Sequence, residues 1–402
     1  MSFRRMVLLL LLSFSFGTVE RVRAESVPAN VPELLRSESG RCISTVEDWE
    51  RVRVPEIRDF FTREVYGRRP VDRPSHLIFS AAGPDRVMMD GAAVRKRIRI
   101  EYGGAYGTNA FVVTVFLPVG ARRPMPSFVL ICNRDPKENI DPDRVRRTEF
   151  WPAEEIVRRG FAAISFFNGD ITPDCDHGRT RGLYPCFEPD VFKNYRANDG
   201  WGVLWAWAWG ASRVLDWIET EPALDAKHVA VIGHSRGGKT ALVAAAYDRR
   251  FAMACSNDSG CGGAKLHHID LPDSERIAIS NRSHRFWYCN QYVMWANRDR
   301  EMPYDQHEFV ALIAPRLLCI GSASEDANAG PLGEYWTARL SSPAWELYGR
   351  RGLVSESFPA PGAALQEGSV SYHLRAGKHD LTLHDWNVYM DFAVKHGWLE
   401  GQ

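Results

Sequence analysis

The chain has 402 residues, of which 45% are hydrophobic, and its 50 basic residues balance 50 acidic ones. So much apolar sequence supports a large buried core and excludes an intrinsically disordered protein. Zero net charge gives no overall attraction to nucleic acid or to an anionic membrane. We therefore expect neither partner, and we expect specificity to come from a local site.

The N-terminus has the order of a secretory signal. Arg4 and Arg5 precede an apolar run from Met6 to Phe16, and the stretch after it ends in Val-Arg-Ala at Ala24. A membrane anchor is the alternative, but the run is shorter than the roughly 20 residues of a spanning helix. Residues 1–24 are thus predicted to be a signal peptide, and the mature protein is predicted to be secreted or periplasmic.

The chain contains eight cysteines, and export permits disulfides between them. Cys175 and Cys186 flank a polar loop, and we predict that they pair. Cys132 and Cys319 lie in apolar runs that are typical of buried free thiols. The spacing of cysteine and histidine predicts no metal site.

Along the chain, residues 25–75 are predicted as an N-terminal extension with a short helix around residues 46–65. Residues 86–103 and 109–120 alternate like two paired strands. Short apolar runs then alternate with segments of helical length. The strands are expected at 126–133, 160–167, 228–235 and 316–324, and the helices at 151–160, 200–220, 239–250 and from about 384. This alternation predicts one α/β domain over residues 76–402, with a mostly parallel sheet between two helical layers.

The predicted helix after Asn198 carries five tryptophans, at positions 201, 205, 207, 209 and 217. They could form a platform for stacking on sugars. Because they are spread through a segment rich in alanine and leucine, we interpret them as core residues instead.

Ser235 lies in the motif Gly-x-Ser-x-Gly, between an apolar strand and the start of a helix. In a strand-to-helix turn of this kind the serine hydroxyl stands clear of the sheet, and backbone N–H groups at the helix start can stabilise an oxyanion. A structural turn is the alternative. We predict that Ser235 is a nucleophile and that the fold is that of the α/β-hydrolases.

In that fold the acid and then the histidine follow the nucleophile along the chain. His379 lies in a polar loop before the last helix and is the predicted base, whereas His384 opens that helix and is the alternative. Two carboxylates compete to orient the histidine: Asp326 follows a predicted strand, and Asp258 lies in a glycine-rich turn. Either one could instead be a turn residue.

These residues belong to longer stretches, "GHSRGGKTAL" (233–242), "DSGCGGA" (258–264), "MPYDQHEFVALIAPR" (302–316), "ASED" (323–326) and "GKHDLTLHDW" (377–386). Together they resemble the glucuronoyl esterases, carbohydrate esterase family 15, over roughly residues 49–399. The resemblance implies an esterase that cleaves 4-O-methyl-glucuronic acid from lignin alcohols, with no cofactor.

The resemblance also implies roles for individual residues. Arg236 is expected to add a charged donor to the oxyanion hole. Lys239, one helical turn after the serine, is expected to reach the sugar hydroxyls, although a solvated lysine is the alternative. Glu275 and Trp287 are expected at the sugar, and a plain surface role is the alternative for Glu275.

The family places its catalytic acid at one of two positions, and this chain has a carboxylate at both, Asp258 and Asp326. One position departs from the family pattern. Bacterial members usually read Asp-x-Trp, with the tryptophan lining the sugar pocket, whereas this chain has Asn328 there.

The sequence thus predicts an exported, monomeric serine esterase whose substrate is a small or polysaccharide uronate ester. Ser235 attacks, His379 moves the proton and Asp326 or Asp258 orients the imidazole. An acetyl or feruloyl esterase or a peptidase on the same fold is one alternative. A carbohydrate-binding relative without catalysis is another.

Overall fold

The computed structural model of the protein describes residues 28–69, 71–121 and 124–400, so the predicted signal peptide lies outside the described residues. Its centre is an eleven-stranded sheet. The strands are β1 (His76–Ala81), β2 (Arg86–Met88), β3 (Ala93–Gly104), β4 (Gly107–Pro118), β5 (Met125–Cys132), β6 (Ala162–Phe167), β7 (Leu224–His234), β8 (Met253–Asn257), β9 (Leu317–Ala323), β10 (Ala364–Leu365) and β11 (Val370–Arg375).

The strand order is β1-β3-β4-β6-β5-β7-β8-β9-β11-β10, with β2 paired to β3. The six central strands from β6 to β11 run parallel, while the pairs at both edges are antiparallel. The predicted hairpin is β3 and β4, and the four predicted core strands are β5, β6, β7 and β9, each within four residues of its expected bounds. The sheet is thus mostly parallel, as predicted.

The helices connect these strands and cover the sheet. They are α1 (Val46–Asp48), α2 (Val54–Phe61), α3 (Pro136–Asn139), α4 (Ala153–Arg158), α5 (Asn168–Ile171), α6 (Tyr184–Phe187), α7 (Val191–Arg196), α8 (Val203–Ile218), α9 (Arg236–Tyr247), α10 (Ile277–His284), α11 (Gln306–Ala311), α12 (Pro331–Ser341), α13 (Pro343–Leu347) and α14 (Leu383–Lys395). Two π-helical segments, Trp49–Arg53 and Thr62–Tyr66, continue the first helices, and short 3₁₀ segments occur at Met89–Gly91, Gly178–Thr180, Arg285–Trp287, Asn290–Trp295 and Asp299–Glu301.

The two faces of the sheet carry separate hydrophobic cores. Strand β5 is buried on both faces, and its side chains alternate between them: Val129 and Ile131 belong to one core, whereas Phe128 and Leu130 belong to the other. Helices α8 and α9 cover the first face and α4 and α14 the second. The fold is therefore the predicted helix–sheet–helix sandwich of the α/β-hydrolases.

Helix α8 is the predicted tryptophan-rich helix, and all sixteen of its residues are buried. The five tryptophans at positions 201, 205, 207, 209 and 217 are each at most 5% exposed. Their interpretation as core residues is confirmed, because buried rings of this kind have no surface to offer a sugar.

The segment before β1 packs against the late part of the chain. Phe61 and Phe309 lie with ring centroids 4.8 Å apart, and the guanidinium of Arg53 forms a buried ion pair with Glu308. Helix α2 and the helical turns around it thus contribute to the core of the sandwich.

The predicted disulfide between Cys175 and Cys186 is wrong, because both residues are free thiols. Cys186 lies on the short helix α6 and is buried in the core. Cys175 lies on a separate turn, where its carbonyl accepts the N–H of Gly178 at 2.7 Å. Cys132 and Cys319 are buried free thiols, as predicted.

Candidate active site

Ser235 occupies a tight turn between β7 and α9. Its φ of 56° and ψ of −124° are unusual for a residue with a side chain, and such strain is commonly found at functional sites. Gly233 makes the turn sterically allowed, since a Cβ there would lie 2.1 Å from the carbonyl oxygen of Gly237. Ser235 is partly exposed, so its hydroxyl is accessible at the carboxyl end of the sheet.

His379 lies on the loop after β11, next to this turn. Its ring centroid is 4.4 Å from that of His234, the residue before Ser235. Nδ1 of His379 lies 2.5 Å from Oδ2 of Asp326, which follows β9 and is 6% exposed. No hydrogen bond joins Ser235 to His379 among the described residues, and such contacts are often long before a substrate binds. The carboxylate fixes the imidazole with Nε2 free.

Asp258 lies beside the same histidine but has other partners. Its Oδ1 accepts the N–H of Ala323 at 2.7 Å, and its Oδ2 lies 3.5 Å from the guanidinium of Arg375. Burial raises the pKa of Asp258, and the nearby Glu334 and Asp326 carboxylates add to the rise. Asp258 thus braces the end of β9, whereas Asp326 bonds the imidazole directly.

The side chains of Asp258, Asp326 and His379 have ligand atoms within 4.8 Å of one another, the one grouping of this kind in the described part of the chain. The bond between His379 and Asp326 and the contact between Asp258 and Arg375 account for it without an ion. The other late histidines are placed elsewhere: His373 is fully buried and bonds Asp385 at 2.8 Å, and His384 is exposed on α14.

Arg236 is the first residue of α9, directly after the predicted nucleophile. One of its terminal nitrogens donates to the carbonyl of Asn133 at 2.9 Å. Its Nε forms an ion pair with Oδ2 of Asp174. The guanidinium is partly exposed and held from two sides, which is the arrangement expected of a preorganised donor for an oxyanion.

Lys239 is buried one turn further along α9. Its Nζ donates to the carbonyl oxygens of Ser259 at 2.5 Å and Cys261 at 2.7 Å. The carboxylate of Glu275 lies 3.6 Å from the same Nζ. Because Lys239 is only 3% exposed, it holds Glu275 in place more than it presents its own charge to solvent.

Trp287 completes a second group of site residues, whose other members are Lys239 and Glu275. Its ring lies 5.7 Å from Nζ of Lys239 and 6.0 Å from the guanidinium carbon of Arg236. His284 stacks on it at 3.8 Å with an interplanar angle of 10°, and Trp287 is only 5% exposed. Burial lowers the pKa of His284, which favours the uncharged form of this ring.

Comparison with known proteins assigns the family. Residues 105–349 match the family model described as "Glucuronyl esterase, fungi". A carbohydrate esterase from an unknown prokaryotic organism is 32% identical over 392 residues, which cover 91% of this chain and 89% of that protein. The chain belongs to the glucuronoyl esterase family. It is a carboxylic ester hydrolase with an α/β-hydrolase fold.

Solved structures of this family agree in fold. The glucuronoyl esterase from Solibacter usitatus has a TM-score of 0.83 and 31% identity over 92% of this chain and 98% of that one. A promiscuous esterase of the same family from a marine bacterial metagenome gives 0.81 and 31% over 91% and 96%. A 4-O-methyl-glucuronoyl methylesterase from Hypocrea jecorina is 27% identical over 76% of this chain and 59% of that enzyme.

Compared with the family pattern, the position of Asn328 is informative. Asn328 is exposed, and its carbonyl accepts the N–H of Glu275 at 2.8 Å. A tryptophan at this position would therefore stand beside the group formed by Lys239, Glu275 and Trp287. In this family member the position holds an exposed asparagine in place of an aromatic ring.

Four residues of the site were missed by the sequence analysis. Asp174 and His284 contact Trp287, which is predicted to bind the sugar. Arg375 donates to the carbonyls of Lys378 and Asp380, on both sides of His379. Glu334 accepts the N–H groups of Ser259 and Gly260 at 2.8 and 2.9 Å, and burial raises its pKa to about 7. No motif marks these residues. Asp174 and Glu334 act through contacts between distant segments, whereas the cited contacts of His284 and Arg375 are with residues three to five positions away.

Proposed function

We propose that the protein hydrolyses esters of glucuronic acid through an acyl-enzyme intermediate on Ser235. The observation that carries the proposal is the position of the His379–Asp326 pair at the turn of Ser235, on the side of α9 where Lys239, Glu275 and Trp287 also meet. Relatives named carbohydrate esterase and 4-O-methyl-glucuronoyl methylesterase support it.

In the proposed reaction the Oγ of Ser235 attacks the ester carbonyl carbon while Nε2 of His379 takes the hydroxyl proton. The negative charge that forms on the carbonyl oxygen is stabilised by Arg236 and by backbone N–H groups at the start of α9. The intermediate collapses, His379 protonates the leaving alcohol, and the uronic acyl group stays on Ser235. His379 then activates a water molecule, which releases the uronic acid.

The main acid in this proposal is Asp326. Its carboxylate bonds Nδ1 of His379, which keeps Nε2 free for the proton and stabilises the imidazolium. Asp258 serves as a support that holds the backbone at Ala323, three residues before Asp326.

Recognition of the sugar is assigned to the second group. Glu275 accepts hydroxyl protons of the sugar, and Lys239 fixes its carboxylate. Trp287 is only 5% exposed and supports this group from behind, with its ring 5.7 Å from Nζ of Lys239. Because the ester itself is neutral, these contacts are hydrogen bonds and apolar contacts, with no ion pair to the acyl group.

A second candidate, an esterase for simple acyl groups such as acetate, is favoured by the exposed Asn328. With an asparagine in place of an aromatic ring at this position, the site gains less from a sugar than the family pattern implies.

The test compares benzyl glucuronate with p-nitrophenyl acetate at equal enzyme concentration. We expect a higher kcat/KM for the glucuronate ester, and S235A serves as the blank. Turnover of the acetate with none of benzyl glucuronate or any other uronate ester would assign the second candidate.

We also propose the sequence-based assignments of export and organisation: a mature chain from about Glu25, an extension over residues 25–75 and a catalytic domain over 76–402 in a monomer. No helix in the described residues is long and apolar enough to span a membrane. N-terminal sequencing of the protein recovered from periplasm and medium tests the cleavage site.

A further inference from the structure

Asp174 joins the two halves of the site. Its Oδ2 forms the ion pair with Nε of Arg236, and its Oδ1 accepts the indole N–H of Trp287 at 2.8 Å. One carboxylate thus contacts both the predicted oxyanion donor and a predicted sugar residue. The Asp174 side chain is 24% exposed, so its charge also faces the open site.

The loop that carries Asp174 is anchored on both sides of it. The Thr172 hydroxyl donates to the carbonyl of Gly178 at 2.5 Å, and the N–H of Gly178 donates to the carbonyl of Cys175 at 2.7 Å. From the buried helix α8, the indole of Trp207 donates to the carbonyl of Thr172 at 2.9 Å. The position of Asp174 is therefore fixed by the core, and this loop is more than a solvated surface turn.

The chemistry of ester hydrolysis gives this charge a consequence. The substrate is a neutral ester, but the product is a carboxylate that carries a full negative charge at neutral pH. A free arginine beside the nucleophile would bind that carboxylate in two hydrogen bonds and hold it in the site. Any such hold slows release of the acid.

We propose that Asp174 orients Arg236 and weakens the binding of the carboxylate product, so that the site discriminates between the neutral ester and the anionic acid. The ion pair occupies Nε of the guanidinium and the Asn133 carbonyl takes one terminal nitrogen, which leaves the other terminal nitrogen for the oxyanion. The negative charge of Asp174 repels the product and has little effect on the uncharged substrate. Asp174 is thus a positioning and specificity-determining residue.

The proposal rests on ester hydrolysis at Ser235 and is tested with Asp174→Asn. An asparagine keeps an oxygen that accepts the indole N–H of Trp287, and it removes the charge. Asp176→Asn is the matched control, because Asp176 lies on the same loop, is exposed and has no hydrogen bond or ion pair within the described residues. Both variants lose one negative charge, so a general effect of charge appears equally in both.

The measurements are KM and kcat for benzyl glucuronate, the inhibition constant Ki of free glucuronate, and the binding of glucuronate by calorimetry. We expect Ki and the calorimetric Kd of D174N to fall by about fivefold, as for removal of a nearby like charge at a partly exposed site. KM should stay within about twofold of wild type. D176N should match wild type in every constant, and D174A should also raise KM because Trp287 loses its acceptor.

An unchanged or higher Ki in D174N, or equal shifts in D174N and D176N, overturns the inference. A second pair, p-nitrophenyl acetate with free acetate as inhibitor, separates it from the proposed substrate. If wild type does not cleave uronate esters but D174N still lowers the Ki of acetate, the substrate assignment fails and the role of Asp174 stands. If glucuronate esters are cleaved and neither Ki changes, the substrate stands and the role of Asp174 fails.

Discussion

The acyl-transfer group, Ser235 with His379 and its two carboxylates, lies beside the sugar group of Lys239, Glu275 and Trp287. Different parts of the fold carry the two groups. Ser235 and Asp258 directly follow β7 and β8, Asp326 comes three residues after β9, and His379 comes four residues after β11. The four residues thus sit at the carboxyl ends of neighbouring parallel strands, where a sheet fixes their distances.

Apart from Lys239 on α9, the sugar group and the adjoining Asp174 come from segments with little regular structure. Glu275 precedes α10, Trp287 ends a 3₁₀ segment, and Asp174 lies on the loop after α5. Their positions depend on contacts between separate loops, such as the hydrogen bond from Trp287 to Asp174. In this molecule the sheet therefore fixes the residues that carry out the chemistry. The loops, whose sequence can vary, carry most of the residues that recognise the substrate.

The largest effect on the acyl-transfer group is expected from Ser235→Ala. We expect kcat on benzyl glucuronate to fall by at least about a thousandfold while the unfolding midpoint stays close to wild type, because the hydroxyl is exposed and packs against little. Steady-state kinetics and a thermal melt measure both. Residual turnover above about a thousandth of wild type would remove Ser235 as the nucleophile.

The carboxylates of Asp326 and Asp258 are expected to contribute unequally to the acyl-transfer group. Asp326→Asn should lower kcat by about a thousandfold, since it removes the acceptor that fixes the His379 tautomer. Asp258→Asn should cost only about tenfold, because an asparagine oxygen still accepts the Ala323 N–H. Single-turnover rates of the two variants and of the double variant decide the roles. A larger loss for D258N than for D326N reverses the assignment.

Beside the sugar group, Asn328→Trp should change the binding of the substrate. We expect KM for benzyl glucuronate to fall several-fold with kcat within about twofold, since an aromatic wall adds apolar contact of about 1–2 kcal/mol beside the sugar. Asn328→Ala is the control and should leave KM within about twofold. An unchanged KM in N328W would show that this position does not face the sugar.

The last expected effect is on stability and leaves the chemical step aside; it concerns Glu334, which supports the turn that carries Asp258. Its pKa is about 7 in the fold and 4.5 as the ordinary value. Below pH 4.5 the group is protonated in both the folded and the unfolded state, and the cost of ionising it in the fold builds up as pH rises to about 7.

Wild type should therefore lose stability across this interval relative to Glu334→Gln, by roughly 2–3 kcal/mol. Urea unfolding at pH 5 and pH 7.5 gives the free energies of both proteins. Parallel pH dependence in the two would mean that Glu334 is ionised throughout and that its hydrogen bonds outweigh its burial.

This contrast also explains what the sequence could predict. The apolar runs of β5, β6, β7 and β9 predict the parallel sheet, and the Gly-x-Ser-x-Gly motif predicts that Ser235 lies at a strand-to-helix turn. The short β8 was not identified as a strand, because five buried residues carry no periodic signal.

The rest of the site could not be found in this way. Nothing in the local sequence distinguishes Asp174 from its exposed neighbour Asp176, since the difference arises only when Arg236 and Trp287 approach it. The prediction of a disulfide between Cys175 and Cys186 fails for the same reason. Their spacing in the sequence does not reveal that the Cys186 thiol is buried in the core while Cys175 lies on a separate turn.

The packing of the first helices against α11 has a consequence for how the chain is made. Arg53 and Glu308 are 255 residues apart, and at roughly 5–20 residues per second a ribosome needs tens of seconds to add the second after the first. During that time the apolar side of α2, with Phe60 and Phe61, has no partner to cover it. The nascent chain therefore cannot complete this part of its core until Tyr304 and Phe309 have been synthesised.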